Sequence, residues 1–190
     1  SITLVESSEI GIVGVGEATI PAIGQFNKLL KIDEDDFLRK TQGTFKLGIE
    51  FVDWWEKSHA YMHAFGPVGR DLAYIPFHHY WLRDEREGTA GSLWDYSLNY
   101  QAASLARFAR LERIADTPLA GLTWAFHFDA SLYAAYLSQV AQAAGVKRVE
   151  GKIAEVLLEP EQGNVRALRL SDGRELAGDL FVDCTGFRGL

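Results

Sequence analysis

Apolar and polar positions alternate along Gly43–Trp55, GTFKLGIEFVDWW. Phe45, Leu47, Ile49 and Phe51 fall on one face, Lys46, Gly48 and Glu50 on the other. The pattern predicts one strand whose first row lies on a core. The second row carries a cation, a gap and an anion, and two readings of it stand side by side. A half-buried strand turns that row to water, where Lys46 and Glu50 can form a surface ion pair. In the other reading Gly48 marks close approach to the backbone, and Lys46 is aimed into a cavity.

The same patterning divides the rest of the chain. Ile2–Val5 reads as a short buried parallel strand ending in Glu6. Helical spacing covers Ala22–Leu30, opened by Pro21, and a second helix runs from an Asp33 cap to Thr41, with Gly43 ending it. Gln101–Arg113 predicts a helix buried along Leu105, Phe108 and Leu111. Asp129 caps a longer one to about Ala144, with Leu132, Ala135, Tyr136, Val140 and Ala143 on its apolar side and Gly145 as its stop. Strands follow at Lys147–Val149, Lys152–Glu159, Val165–Leu170 and Glu175–Ala177, with turns at Glu161–Asn164 and Ser171–Gly173. Asp179–Cys184, DLFVDC, reads as a return strand in which Cys184 is an inert buried thiol. This order predicts an α/β dinucleotide-binding fold with an antiparallel excursion. Residues 56–120, irregular and rich in aromatics, read as an insertion that covers something. The expected organisation is therefore 1–55, the covering insertion 56–120, and a continuation of the first part in 121–190.

Composition narrows the chemistry. In 190 residues the single cysteine, Cys184, allows neither an internal disulfide nor a thiolate metal site. A reducing, cytoplasmic setting is expected. A net charge of -7 disfavours nucleic acid as a partner, and no apolar run is long enough to span a bilayer, so no membrane partner is expected. The 5 Trp, 7 Tyr and 11 Phe suit either an ordinary core or a pocket for a flat aromatic ligand. His59 and His63 stand at helical spacing and His78 and His79 are adjacent, but no carboxylate accompanies them at a familiar metal-ligand spacing. Partnered core or pocket histidines are the expectation, with no metal.

Several positions read as contacts for a nucleotide. An acid at the end of a strand, as Glu6 is, is what a dinucleotide fold uses on a ribose hydroxyl; an ordinary surface glutamate fits equally. In Gly11–Ile23, Gly14 and Gly16 permit close ligand approach, and Glu17, Ala18 and Thr19 sit just ahead of a helix start, where free amides favour polar groups. Thr185 and Gly186 can bring backbone amides close to a ligand.

Four stretches taken together carry a resemblance: VGVGEATIP (Val13–Pro21), GTFKLGIEFVDW (Gly43–Trp54), WAFHFDASLYAAYL (Trp124–Leu137) and DLFVDCTGFRGL (Asp179–Leu190). The chain resembles the flavin-dependent tryptophan halogenase family, within the wider flavin monooxygenase class. The resemblance implies a glutathione-reductase-like FAD fold and halogenation of an aromatic, indole-type substrate, with tryptophan among the candidates. It implies FAD taken up as FADH2 from a separate NADH-dependent flavin reductase, with halide and O2 as co-substrates. Hypohalous acid is then delivered through a tunnel to a catalytic lysine, which falls on Lys46. The MHAFG motif nominates His63 and Phe65 as walls that stack on the substrate. For FAD the resemblance implies Glu6 at the ribose, Glu17 and Ala18 beside the flavin, and Ile153 at the adenine. The family's glycine-rich FAD loop, chloride loop, WxWxIP motif and second catalytic glutamate are missing from this sequence. The expectation is thus a fragment, incomplete at both ends and inactive alone. A flavin hydroxylase or epoxidase is the alternative, and a non-catalytic flavin- or aromatic-binding module a third.

Overall fold

A computed structural model of the chain describes residues 1–11 and 17–189. Gly14 and Gly16, read above as permitting ligand approach, lie outside the described residues. The chain divides into two compact units, Ser1–Val13 with Ala134–Leu190, and Gly14–Tyr133. The architecture is mixed α/β.

In the first unit, β1 (Thr3–Glu6) pairs in parallel with β6 (Lys147–Glu150), Glu6 standing opposite Glu150. The strand is parallel as expected, but it is exposed along most of its length rather than buried. β7 (Ile153–Leu158), β8 (Val165–Leu170) and β9 (Glu175–Ala177) form the antiparallel meander that the alternation predicts. Leu157, Ala167 and Leu170 are its buried residues. The return strand expected at Asp179–Cys184 is not formed. A strand needs a neighbouring ladder for its amides and carbonyls, and this segment has none among the described residues. Leu180 and Val182 are 84% and 78% exposed, and Cys184 is exposed as well, not buried.

In the second unit, α1 (Ala22–Leu29) follows Pro21, and α2 (Glu34–Thr41) is capped by Asp33, whose carboxylate accepts from the Asp36 amide at 2.8 Å. The left-handed residue that closes α2 is Gln42 (φ 54°), one position before the predicted Gly43. The single predicted strand over 43–55 is two strands. β2 (Thr44–Lys46) pairs with β5 (Ala125–His127), whereas β3 (Gly48–Val52) pairs with β4 (Ala60–Ala64), so the chain changes partner at Leu47. Gly48 is needed for close approach, but the approaching group is β4. A Cβ there would lie 2.7 Å from the His63 carbonyl oxygen and 2.9 Å from Ala64 Cα. His59 and His63 are not on a helix: His63 lies within β4 and His59 just before it.

After β4 come α3 (Phe77–Arg86), a 3-10 turn at Leu93–Tyr96 and α4 (Leu98–Ser104). The helix predicted over 101–113 therefore lies earlier. Ala106 sits at φ 50°, which breaks helical continuation. Of its predicted apolar side, Leu105 and Leu111 are exposed, while Phe108 leaves the helix path to stack on Phe45 at 3.9 Å. Arg110 holds that loop through charge-assisted bonds to Glu34 and Asp35. α5 (Ala130–Ala143) starts where predicted, its first turn capped by Asp129 Oδ1 accepting from Leu132 N at 2.9 Å.

The β2–β5 ribbon separates two environments by the period-two rule. Phe45 and Phe126 stand opposite each other on one face, where Phe37 packs edge-on against Phe126, Phe128 and Tyr133. The other face carries Thr44, Lys46, Ala125 and His127.

Candidate active site around Lys46

Lys46 ends β2 with only 7% of its surface exposed. No carboxylate pairs with it among the described residues, and Glu50 lies exposed in β3, so the surface ion pair is not formed. The ammonium Nζ instead sits 5.7 Å from the centroid of the Phe65 ring, within cation–π range. Burial without a counter-charge disfavours the charged form, which holds the Lys46 pKa below its ordinary value.

β5 brings a second titratable group to the same face. His127 pairs with Thr44 on one side and with Ala18 on the other, which places Ala18 on the Lys46 face too. The segment is tied to β5 by Thr19 N donating to the Phe126 carbonyl at 3.0 Å and Phe128 N donating to the Glu17 carbonyl at 2.9 Å. Desolvation first, and the Lys46 charge second, depress the His127 pKa. A folded state that binds fewer protons than the unfolded chain gains stability as pH rises. The His127 contribution is therefore a penalty at pH below its folded pKa, fading as pH approaches the ordinary 6.5. In Lys46→Met, imidazole NMR titration is expected to show the His127 midpoint moving up toward that value. An unmoved His127 would separate the two groups electrostatically.

Phe65 and His63 both belong to the β4 end of the hairpin. Phe65 is buried at 5% exposure, His63 is exposed, and the rings meet edge-on at 6.2 Å. The structure thus brings Lys46, Phe65, His63 and Ala18 into one unit, with Glu17 exposed beside Ala18. At the far tip of the β3–β4 hairpin, Trp54, Trp55, His59 and Tyr61 line an open cleft of about 420 Å³.

Glu6, Ile153, Thr185 and Gly186 belong to the other unit. Glu6 closes β1 and accepts from Arg148 through Oε1, and its side chain is 42% exposed. Ile153 opens β7 opposite Leu170. Thr185 precedes a 3-10 turn, Gly186–Arg188, and its amide and hydroxyl both donate to Asp183 Oδ1, at 2.8 and 2.6 Å. His127 and Asn99 were not singled out from the sequence. The AFHF alternation does place His127 on the polar face, but its partner strand is not legible there.

Comparison with known proteins gives one answer over the whole length. The family model described as tryptophan halogenase matches residues 1–190. The tryptophan 6-halogenase SttH of Streptomyces toxytricini is 36% identical over 210 residues, covering 100% of this chain and 39% of that protein. BrvH, a flavin-dependent halogenase from Brevundimonas sp. BAL3, superposes with a TM-score of 0.90 at 47% identity over 100% of this chain and 37% of that one. Xcc4156, a flavin-dependent halogenase from Xanthomonas campestris, gives 0.86 at 46% identity over 98% of this chain and 37% of that one. The chain thus spans about two-fifths of the length of the curated relatives it matches.

Proposed function

Because the chain belongs to the tryptophan halogenase family, we propose that it forms the catalytic-lysine part of a flavin-dependent halogenase acting on an indole-type aromatic, with Lys46 as the group that activates the halogen. The observation that carries this reading is the burial of Lys46 against the Phe65 ring, with no carboxylate paired to it among the described residues. An ammonium kept for solubility would be exposed or paired.

The residues fit a flavin dinucleotide in one respect that the structure allows to be tested. Glu6 sits at the carboxyl end of a parallel strand with its side chain 42% exposed, the position from which such folds bind a ribose hydroxyl. Ile153 is proposed for the adenine, Thr185 and Gly186 for backbone contacts, and Glu17 and Ala18 for the flavin. The chemistry a bound reduced flavin would supply is the reduction of dioxygen coupled to oxidation of halide to hypohalous acid.

Lys46 then acts on the hypohalous acid. Its ammonium donates a hydrogen bond to the oxygen and draws electron density from the oxygen–halogen bond. The aromatic carbon attacks the halogen, and the departing oxygen takes a proton from Lys46 and leaves as water. The proton lost from the ring carbon restores the ammonium. A lowered pKa makes the lysine a better acid for this transfer. Phe65 holds the ammonium from one side, and His63, exposed next to it, offers a ring for stacking on the substrate.

The test is product analysis. The intact protein with FAD, a flavin reductase, NADH, bromide and a panel of indoles is expected to give brominated product by mass spectrometry. An oxygenated product in its place would assign a hydroxylase or epoxidase.

A further inference from the structure

One buried side chain does not fit an ordinary structural inventory. Asn99, near the start of α4, is 1% exposed and uses both ends of its carboxamide. Its Nδ2 donates to the Leu47 carbonyl at 3.1 Å and to the Thr123 carbonyl at 2.5 Å, while its Oδ1 accepts from the Thr123 amide at 3.1 Å. The Leu47 carbonyl also accepts from the Phe65 amide at 2.8 Å. Leu47 is the residue at which the chain leaves β2 for β3. At this switch the Leu47 carbonyl, already bonded to the β4 side of the hairpin, takes a second bond from Asn99, which ties it to the entry of β5 through Thr123.

We propose that Asn99 is a positioning residue for the Lys46 site: its carboxamide locks the β2–β3 switch to Phe65 and to the entry of β5, and so sets the Lys46 ammonium on the Phe65 ring. This rests on the reading of Lys46 as the halogen-activating group.

The geometry requires an amide. Two carbonyls must be met by donors and one N–H by an acceptor, within one planar group of fixed width. Aspartate has the same shape but no donor, so it turns both carbonyls toward a carboxylate. Glutamine keeps the chemistry and displaces it by one methylene. The carboxamide also needs the glycine beside it, since a Cβ on Gly66 would come within 2.9 Å of Asn99 Oδ1. Lys46 is one peptide before the clamped carbonyl, and Phe65 carries the amide bonded to that carbonyl. A shift at Leu47 therefore moves both members of the Lys46–Phe65 pair. Displacements of about 1 Å from productive geometry cost on the order of 100-fold in rate.

The experiment compares wild type, Asn99→Asp, Asn99→Gln and Lys46→Met in the intact protein, with bromide and indole as probes. In both Asn99 variants kcat for bromoindole is expected to fall at least tenfold. KM for indole and the rate of reduced-flavin oxidation stay within twofold, and the unused hypobromous acid appears in a soluble scavenger. A purely structural role would lower flavin oxidation, kcat and thermal midpoint together, and that result overturns the proposal, as does kcat within twofold of wild type. Should neither variant fold, wild-type hydrogen exchange decides: Phe65 and Thr123 amides among the slow set support the clamp, and fast exchange of both overturns it. Lys46→Met separates the two readings. Wild-type bromination by that variant defeats the role of Lys46, whereas its loss alongside unaffected Asn99 variants defeats only the clamp.

Discussion

Lys46→Met is expected to remove halogenation while making the protein more stable. The side chain keeps its length and apolar stem and loses only the ammonium. On the role proposed for Lys46, losing it lowers turnover by at least about 100-fold, the scale seen when one preorganised donor is deleted. Reduced-flavin oxidation should continue, with hypohalous acid escaping to a scavenger. Stability should move the other way, by about 0.5–2 kcal/mol, because functional groups held in unfavourable surroundings carry a stability cost. The sign follows from the lowered pKa of Lys46, which has desolvation as its cause. Between its folded pKa and the ordinary 10.5 the unfolded chain binds more protons than the folded one, so stability rises with pH across that window. Below the folded pKa the penalty is present in full. The gain in the methionine variant is therefore largest at neutral pH and shrinks toward pH 10.5. Denaturant titrations at neutral and alkaline pH check this, and equal midpoints for the two proteins at neutral pH would contradict it.

Phe37→Ala is expected to be the most damaging change to the fold. Phe37 is 0% exposed, and its ring meets Phe126 at 5.0 Å, Tyr133 at 5.2 Å and Phe128 at 5.4 Å, all edge-on. Truncating a buried phenylalanine costs roughly 3–5 kcal/mol, from lost transfer energy and from the cavity left behind. Against a typical total of about 5–15 kcal/mol, that is a large share. Denaturant unfolding should show the midpoint falling with little change in slope, and Phe37→Leu should recover much of the loss. Since Phe126 is the β5 partner of Phe45 and is flanked by Ala125 and His127, the partners of Lys46 and Thr44, the variant should also loosen the Lys46 face. Faster exchange of the β2 and β5 amides would report that.

Some of this was legible in the residues themselves. Asp33 and Asp129 read as caps because a carboxylate before an apolar-periodic run satisfies free amides locally, and both do so. β8 and β9 read correctly because each carries its own alternation and the turns between strands are short. Lys46 stood out as the cation on the row opposite the apolar one, with Glu50 as its possible partner and two fates open to it. The stretch around it was misread as a single strand because alternation by itself does not reveal a change of partner. Phe45 through Phe51 keep period two across Leu47, although β2 and β3 pair with different strands. Gln101–Arg113 had helical spacing, yet Phe108 gains more by stacking on Phe45, and tertiary contact overrode local preference.

What the sequence determined by itself was local: caps, turns, the period of each short element, and motifs specific enough to point to a family. These depend on residues within a few positions of one another. Tertiary structure decided which face of each element is buried. It turned Lys46 inward against Phe65 rather than outward to Glu50, brought His127 to the same face, and placed Asn99 across Leu47 and Thr123, positions 52 and 24 residues away in the chain. Desolvation, ring contact and hydrogen bonding at such separations depend on how distant segments pack, and no local pattern encodes that packing.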